Sequence, residues 1–174
     1  MRPRFLFMDK LLFYEIDERY IDFLSNFSEH LFHNAAAHQS HSRKYIGILF
    51  EIYGTKYFAP LSSFKPKHKK LSESHDFIKI GDMAVINLNN MFPVPDGAFV
   101  LRNLQDETDL QYKTLLNNEI RIIRQKTEQI VCNAKYVYNH KLTNDGKSKL
   151  SQRCNDFKLL EEKSREYINM KDKQ

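Results

Sequence analysis

The segment from Lys44 to Tyr53 constrains the fold more than any other stretch of the chain. Ile46, Ile48, Phe50 and Ile52 fall on one side of an extended backbone, and Tyr45, Leu49 and Tyr53 on the other. A strand apolar on both faces must be covered on both, so this one belongs inside a sheet packed from two sides. Gly54 supplies a turn, and Lys56 to Leu61 runs back as a hairpin partner. Gly47, inside the first strand, marks a close backbone approach or a bulge.

The flanking segments add strands first and helices later. Leu11 to Ile16 reads as a short strand. Asp17 then caps a helix in which Tyr20, Phe23 or Leu24, Phe27 and Leu31 recur at helical spacing. Residues 33–42 are polar, lack periodicity and read as a loop. Phe77 to Leu88, broken at Gly81-Asp82, reads as two strands, and Ala98 to Leu101 as another. Pro93 and Pro95 confine the run around Phe92 to edge or irregular backbone, because proline donates nothing to a ladder. From Asp106 to about Tyr138 the chain lacks Gly and Pro, and Leu110, Leu115, Ile122, Ile123 and Ile130 form one helical stripe. Thr143-Asn144-Asp145-Gly146 ends it. A last helix starts at Asn155 or Asp156, with Phe157, Leu159, Leu160 and Tyr167 as its apolar side. The expected fold is a single α+β domain spanning residues 1–174, a mostly antiparallel sheet with helices against it.

Charge locates the partner surface. The net charge is +5, yet residues 43–70 alone carry seven basic side chains against Glu51, a local +6 that leaves the remainder at −1. A basic segment on a nearly neutral body suits a polyanion, nucleic acid before membrane. No run approaches the roughly 18 apolar residues of a membrane-crossing helix. The basic-then-apolar start is cut short by Asp9 and Lys10, too early for a secretory leader, which leaves the cytoplasm as the expected compartment. Cys132 and Cys154 show neither disulfide nor zinc spacing. His30, His33, His38 and His41 lack the carboxylates that would complete a metal site, so neither metal nor cofactor is expected.

Within the basic segment, the second strand leads into Ser62-Ser63-Phe64-Lys65. On an extended backbone Ser63 and Lys65 project to the same side. A hydroxyl beside an ammonium can hold a phosphate and offset charge developing on it. Adjacent serines at a strand end are equally the chemistry of an ordinary turn. A serine acyl-transfer site is disfavoured, because no Gly-x-Ser-x-Gly elbow is present. Lys44, Lys56, Lys67, Lys69 and Lys70, interleaved with Tyr57 and other aromatics, suit single-stranded RNA, whose bases stack while lysines follow the phosphates. Alternate strand positions filling a core would produce the same aromatics. His68, within the lysine run, is counted with the RNA contacts and is the one histidine placed to act as an acid or base. A second basic stretch, residues 135–153, reads as either another RNA surface or a solvated linker.

These residues also fit a family. Phe13-Tyr14 with Tyr20-Ile21, Tyr45-Ile46-Gly47-Ile48, Lys56-Tyr57-Phe58-Ala59-Pro60-Leu61-Ser62-Ser63-x-Lys65, Ile86-Asn87-Leu88 with Met91-x-Pro93, and Cys154-Asn155-x-Phe157-x-Leu159-Leu160-Glu161-Glu162-Lys163 occur in order. Together they resemble the ToxN/AbiQ endoribonucleases, the protein toxins of type III toxin–antitoxin systems. Residues 1–10 fall outside the resemblance and read as an N-terminal extension.

The resemblance implies a highly twisted, mostly antiparallel sheet partly wrapped by about four helices, akin to MazF/Kid-like toxins. It implies metal-independent cleavage of target mRNA to a 2′,3′-cyclic phosphate, with growth arrest and phage abortive infection as the outcome. The implied inhibitor is a small RNA pseudoknot that the toxin processes from a repeat transcript and binds in a closed toxin–RNA ring. By the same match Ser63 takes the place of the family's essential serine, Ser62 its hydroxyl neighbour and Lys65 its active-site lysine. Arg43 falls where related toxins carry a basic residue before the aromatic-Ile-Gly strand. The tyrosine that some members carry four residues upstream has no counterpart, since Gln39 stands there. The rival expectation is a non-catalytic RNA-binding module that uses the 43–70 hairpin only for capture.

Overall fold

A computed structural model describes residues 11–31 and 46–173. The loop expected at 33–42, Arg43, Lys44, Tyr45 and the N-terminal extension therefore lie outside the described residues. The hairpin forms, but its first strand ends at Ile52, so Tyr53, expected on the strand's second covered face, lies in the turn and is 68% exposed. Strand β2 (Ile46–Ile52) and strand β3 (Thr55–Ser63) pair antiparallel, from Ile52 opposite Thr55 to Gly47 opposite Pro60. Tyr53 (φ 48°) and Gly54 (φ 83°) form the turn between them, both in the left-handed region that matches the twist of a tight hairpin. At Gly47 the strands meet closely: a Cβ there would lie 2.2 Å from the Ala59 carbonyl oxygen. Only glycine fits, so the close approach expected from the sequence is real.

Strand β1 (Phe13–Ile16) adds to the free side of β2, and β7 (Phe99–Leu101) adds to β1. Strands β4 (Phe77–Ile80) and β5 (Ala84–Asn87) form a second hairpin about Gly81, and β5 joins the end of β3. The order is β4-β5-β3-β2-β1-β7, antiparallel throughout, and the two-residue β6 (Phe92–Pro93) pairs with Tyr57 and Phe58 of β3.

The alternation read in β2 sorts side chains into two cores. Ile48, Phe50 and Ile52, with Ile46 at the margin, face a layer made by α2 (Leu110–Gln125) and α3 (Thr127–Asn144). Leu49 faces the other layer, made by α1 (Glu18–Ser25) and by α5 (Phe157–Lys171), which supplies Leu160 and Tyr167. Phe157 of α5 belongs to the first core, so this helix spans both. Asp17 and Asp156 cap α1 and α5 as expected, their carboxylates accepting from Arg19 and Leu159 amides. The one-turn α4 (Lys149–Arg153) was not legible in the sequence.

Two helical expectations are corrected. α1 stops at Ser25, leaving Phe27 and Leu31 beyond it. The long stripe from Asp106 is two helices, bent at Lys126 (φ −98°, ψ 8°). There the Thr127 hydroxyl competes for the Ile123 and Arg124 carbonyls, while the Lys126 ammonium ties to Glu73 and to the Lys79 carbonyl on β4. The buried face of α2 is consequently Leu116, Glu119, Ile120 and Ile123, whereas Leu110 stands 75% exposed. Cys132 and Cys154 are both free thiols. No helix among the described residues is long and apolar enough to cross a membrane.

Candidate functional site

Strand β3 changes partners on its way to the serines. Its first six residues pair with β2, while Leu61, Ser62 and Ser63 stand opposite Ile86, Val85 and Ala84 of β5. The extended course continues past the strand: the Phe64 amide donates to the Met83 carbonyl at 3.1 Å, and Lys65 is itself extended (φ −115°, ψ 157°). Alternation then places Ser63 and Lys65 on one face, roughly 6–7 Å apart along the chain. That is the face whose buried part holds Tyr57 and Ala59 in the first core. Ser62 belongs to the opposite face, with Phe58. Ser63 and Lys65 are exposed at the end of a strand whose middle residues, Tyr57, Phe58 and Ala59, are buried, so the pair sits where a rigid element reaches solvent.

The lysines follow at once. Pro66–Lys70 form a 3₁₀ turn, and Lys65, Lys67, Lys69 and Lys70 are all exposed around it. From Ile52 to Ser72 the sequence contains no acidic residue, so nothing in the segment itself neutralises this corner. The potential favours an anion with repeated charges, and the hydroxyl–ammonium pair at its edge suits one phosphate among them.

His68 sits differently from its lysine neighbours. It is only 7% exposed, with Phe64 and Phe77 rings at 5.5 and 5.6 Å. Its Nδ1 accepts the Lys65 amide at 2.9 Å. Burial first, then Lys67, Lys65 and Lys79, hold its imidazole below the ordinary histidine range. It is a buried neutral ring and not the RNA contact or free acid expected from its place in the sequence.

One further expected contact is corrected, and another is set apart from Ser63. Tyr57 is 0% exposed: its hydroxyl donates to Glu161 Oε1 at 2.7 Å, and its ring packs edge-on against Tyr138 and Phe157. A side chain so enclosed stacks on the core and not on a base. Lys56 pairs with Asp96 and lies over the Phe99 ring. It stands at the start of β3, about 23 Å from Ser63 at strand rise, and serves no phosphate held there. The second basic stretch is also partly structural. Lys141 donates to the Ser151 carbonyl at 3.0 Å, and Arg153 forms a two-pronged pair with Asp76 at 2.6 and 2.8 Å.

The Asn155-x-Phe157 helix motif holds β3 in place. Asn155 Nδ2 donates to the Asn90 and Met91 carbonyls, both at 3.1 Å, and its amide to the Asn89 carbonyl at 3.0 Å. That turn leads directly into β6, which pairs with β3. Glu161, two turns later, receives the hydroxyls of Tyr57 and Tyr138 and the ammonium of Lys158. These supporting residues escaped the sequence reading as functional because a buried carboxylate in a helix looks like any solvated one until its partners are known. Among the described residues no three His, Cys, Asp or Glu side chains converge as metal ligands would.

Comparisons with known proteins bear on the family and the fold. Residues 12–165 match the family model of the ToxN toxin of type III toxin–antitoxin systems. The chain is 30% identical over 171 residues to endoribonuclease ToxN of Bacillus thuringiensis subsp. kurstaki, covering 91% of this chain and 85% of that protein. Endoribonuclease ToxN of Pectobacterium atrosepticum is 29% identical over 163 residues, covering 89% and 92% respectively. Among solved structures, one describing selective toxin inhibition by a non-coding RNA pseudoknot superposes with a TM-score of 0.75 at 30% identity, covering 92% of this chain and 99% of the other. A structure of the lactococcal anti-phage endoribonuclease AbiQ shares the fold, with a TM-score of 0.75 at 21% identity and coverage of 92% and 99%. By the extent of the match, in order along almost the whole chain, this protein belongs to the ToxN family of type III toxin–antitoxin toxins.

Proposed function

We propose that this chain is an endoribonuclease toxin that cleaves target mRNA by transesterification, with Ser63 and Lys65 at the reacting phosphate. The observation that carries the reading is the shared, solvent-facing side of Ser63 and Lys65 at the end of β3, with three more exposed lysines behind them. An RNA strand laid along those lysines brings one phosphodiester to the hydroxyl–ammonium pair. The 2′-oxygen, its proton lost to solvent, attacks the adjacent phosphorus in line, the bond to the 5′-oxygen breaks, that oxygen takes a proton from solvent, and a 2′,3′-cyclic phosphate and a 5′-hydroxyl result. Ser63 orients a non-bridging oxygen, and Lys65 offsets the charge that builds on the phosphorane. Ser62, on the other face, holds the flanking backbone, and Arg43 assists from outside the described residues. Rate enhancement then comes from alignment and electrostatics at a fixed site.

The same surface binds the inhibitor in this reading. Its closest support is the related toxin inhibited by an RNA pseudoknot, together with a related antiviral system regulated by a processed non-coding RNA. The chain would act in the cytoplasm, process its own pseudoknot from a repeat transcript, join it in a closed ring and arrest growth on phage infection.

The test is purified protein incubated with RNA in EDTA. Cyclic-phosphate ends that vanish in Ser63→Ala are expected, with Lys65→Ala losing more activity than Lys70→Ala. Equal losses would reduce the lysine to a general electrostatic effect. A gel shift without cleavage by the wild type would leave a capture module in place of an enzyme.

A further inference from the structure

We propose that His68 is a positioning residue for Lys65, a role that rests on the reading of Ser63 and Lys65 given above. The two residues are joined at both ends of a short loop. His68 Nδ1 accepts the Lys65 amide at 2.9 Å, and the His68 amide donates back to the Lys65 carbonyl at 2.8 Å. The second is the turn's own 3₁₀ backbone bond, and the first is the returning half of a capping box, with an imidazole in place of the usual carboxylate or amide side chain. Together they fix the backbone immediately before and after the Lys65 Cα, and so the direction in which the ammonium leaves the strand.

The ring is held as firmly as the loop. Phe64 packs against it edge-on from the end of β3, and Phe77 approaches from β4. A backbone amide can only donate, so Nδ1 must be unprotonated and the ring proton must sit on Nε2. The charged groups that face the ring are Lys65 and Lys67 from its own turn and Lys79 from β4, all cationic, so each opposes its protonation. The lysine cluster that attracts RNA thus also keeps the histidine in the one state that can hold Lys65. A carboxylate at this position would hold the amide as well but would pair with the lysines and weaken the field that binds phosphate.

The consequence for the reaction is an acid limb with no proton transfer behind it. When His68 gains a proton on Nδ1, two N–H groups face each other, the cap opens and Lys65 loses its direction. Cleavage falls at a pH below the ordinary histidine value of about 6.5, through turnover and not through affinity, since the lysines stay charged.

Three variants of the full chain, each also followed by thermal melting, test this. His68→Leu keeps apolar contact with the two phenylalanines and removes the acceptor. It is expected to lower kcat at pH 8 about tenfold or more, with KM within about twofold. His68→Asn places Oδ1 close to where Nδ1 stood and does not titrate. It is expected to restore most of kcat and to flatten the acid limb. Lys65→Ala serves as the reference. Equal kcat in His68→Leu and wild type, or an unaltered acid limb in His68→Asn, would overturn the positioning role while leaving the site intact. If His68→Leu does not fold, the pH profile of His68→Asn alone decides. Full cleavage by Lys65→Ala would remove the site reading, and this one with it.

Discussion

Tyr57 distinguishes a structural from an RNA-contacting reading of the aromatic residues in β3. Tyr57→Phe deletes one oxygen from a side chain that is 0% exposed, and leaves the ring in place. The lost bond is a hydroxyl donated to a carboxylate, a class worth about 1.5–3 kcal/mol. Glu161 Oε1 still receives Tyr138 at 2.9 Å, and Oε2 still receives the largely exposed Lys158 at 3.2 Å, so the loss belongs at the lower end. We expect about 2 kcal/mol, or a melting point lowered by roughly 4–8 °C for a chain of this size. Tyr138→Phe should cost a similar amount. Removing both hydroxyls leaves Oε1 buried with neither donor, so the double variant should lose more than the sum, by about 1 kcal/mol. Urea unfolding followed by circular dichroism measures all four corners of that cycle. RNA cleavage per folded molecule, taken well below the melting transitions, should stay at the wild-type level in Tyr57→Phe. Loss of cleavage or of RNA affinity at unchanged stability would refute the argument from burial. Strict additivity would mean that the tyrosines do not share the carboxylate.

Two other perturbations probe the frame that carries the site. Gly47→Ala would place a Cβ 2.2 Å from the Ala59 carbonyl oxygen and 2.6 Å from the Phe58 ring, and a backbone atom in the middle of a hairpin cannot retreat cheaply. We expect a loss of about 3 kcal/mol or more, read as a large drop in melting temperature; an unchanged transition would contradict the close approach of β2 and β3. Glu119 is 4% exposed among the apolar side chains of α2, and burial pushes its carboxyl up to about 7 from an ordinary 4.5. The folded state holds this proton more tightly than the unfolded one. Its stabilising effect is complete below about pH 4.5 and is lost as pH rises through 7. Glu119→Gln should therefore stabilise the protein at pH 8 by up to about 3 kcal/mol and hardly at all at pH 4.5; a pH-independent difference in melting temperature would show that the carboxyl is not desolvated.

The central hairpin was legible because its residues satisfy two constraints at once. Alternation with apolar side chains on both faces admits one kind of strand, and Gly47 and Gly54 mark the close approach and the turn. The serine–lysine pair was legible for a related reason, since a spacing of two on an extended backbone is a geometric statement. The bend at Lys126 was not, because neither Gly nor Pro marks it; a threonine hydroxyl and a lysine reaching β4 produce it, and both depend on tertiary neighbours. Tyr57 and His68 were misread for one shared reason. Each lies among lysines in sequence, and sequence proximity to charge does not say which way a side chain turns. In β3 Lys56 sits half-buried at the strand's start while Tyr57 beside it points into the first core, and in the 3₁₀ turn the ring at His68 folds inward while Lys67 and Lys69 stay out.

The bond between Tyr57 and Glu161 joins residues 104 positions apart. On a ribosome adding about 5–20 residues per second, the strand that carries Ser63 emerges some 5–20 s before the helix that clamps it. During that interval β2 and β3 can pair through their short turn, yet the buried hydroxyl of Tyr57 has no carboxylate and β6 has no Asn155 behind it. Maturation of the Ser63–Lys65 corner is thereby deferred to late synthesis, a delay that hydrogen exchange on stalled nascent chains would resolve. For a protein of this family, that interval separates the making of the weapon from its arming.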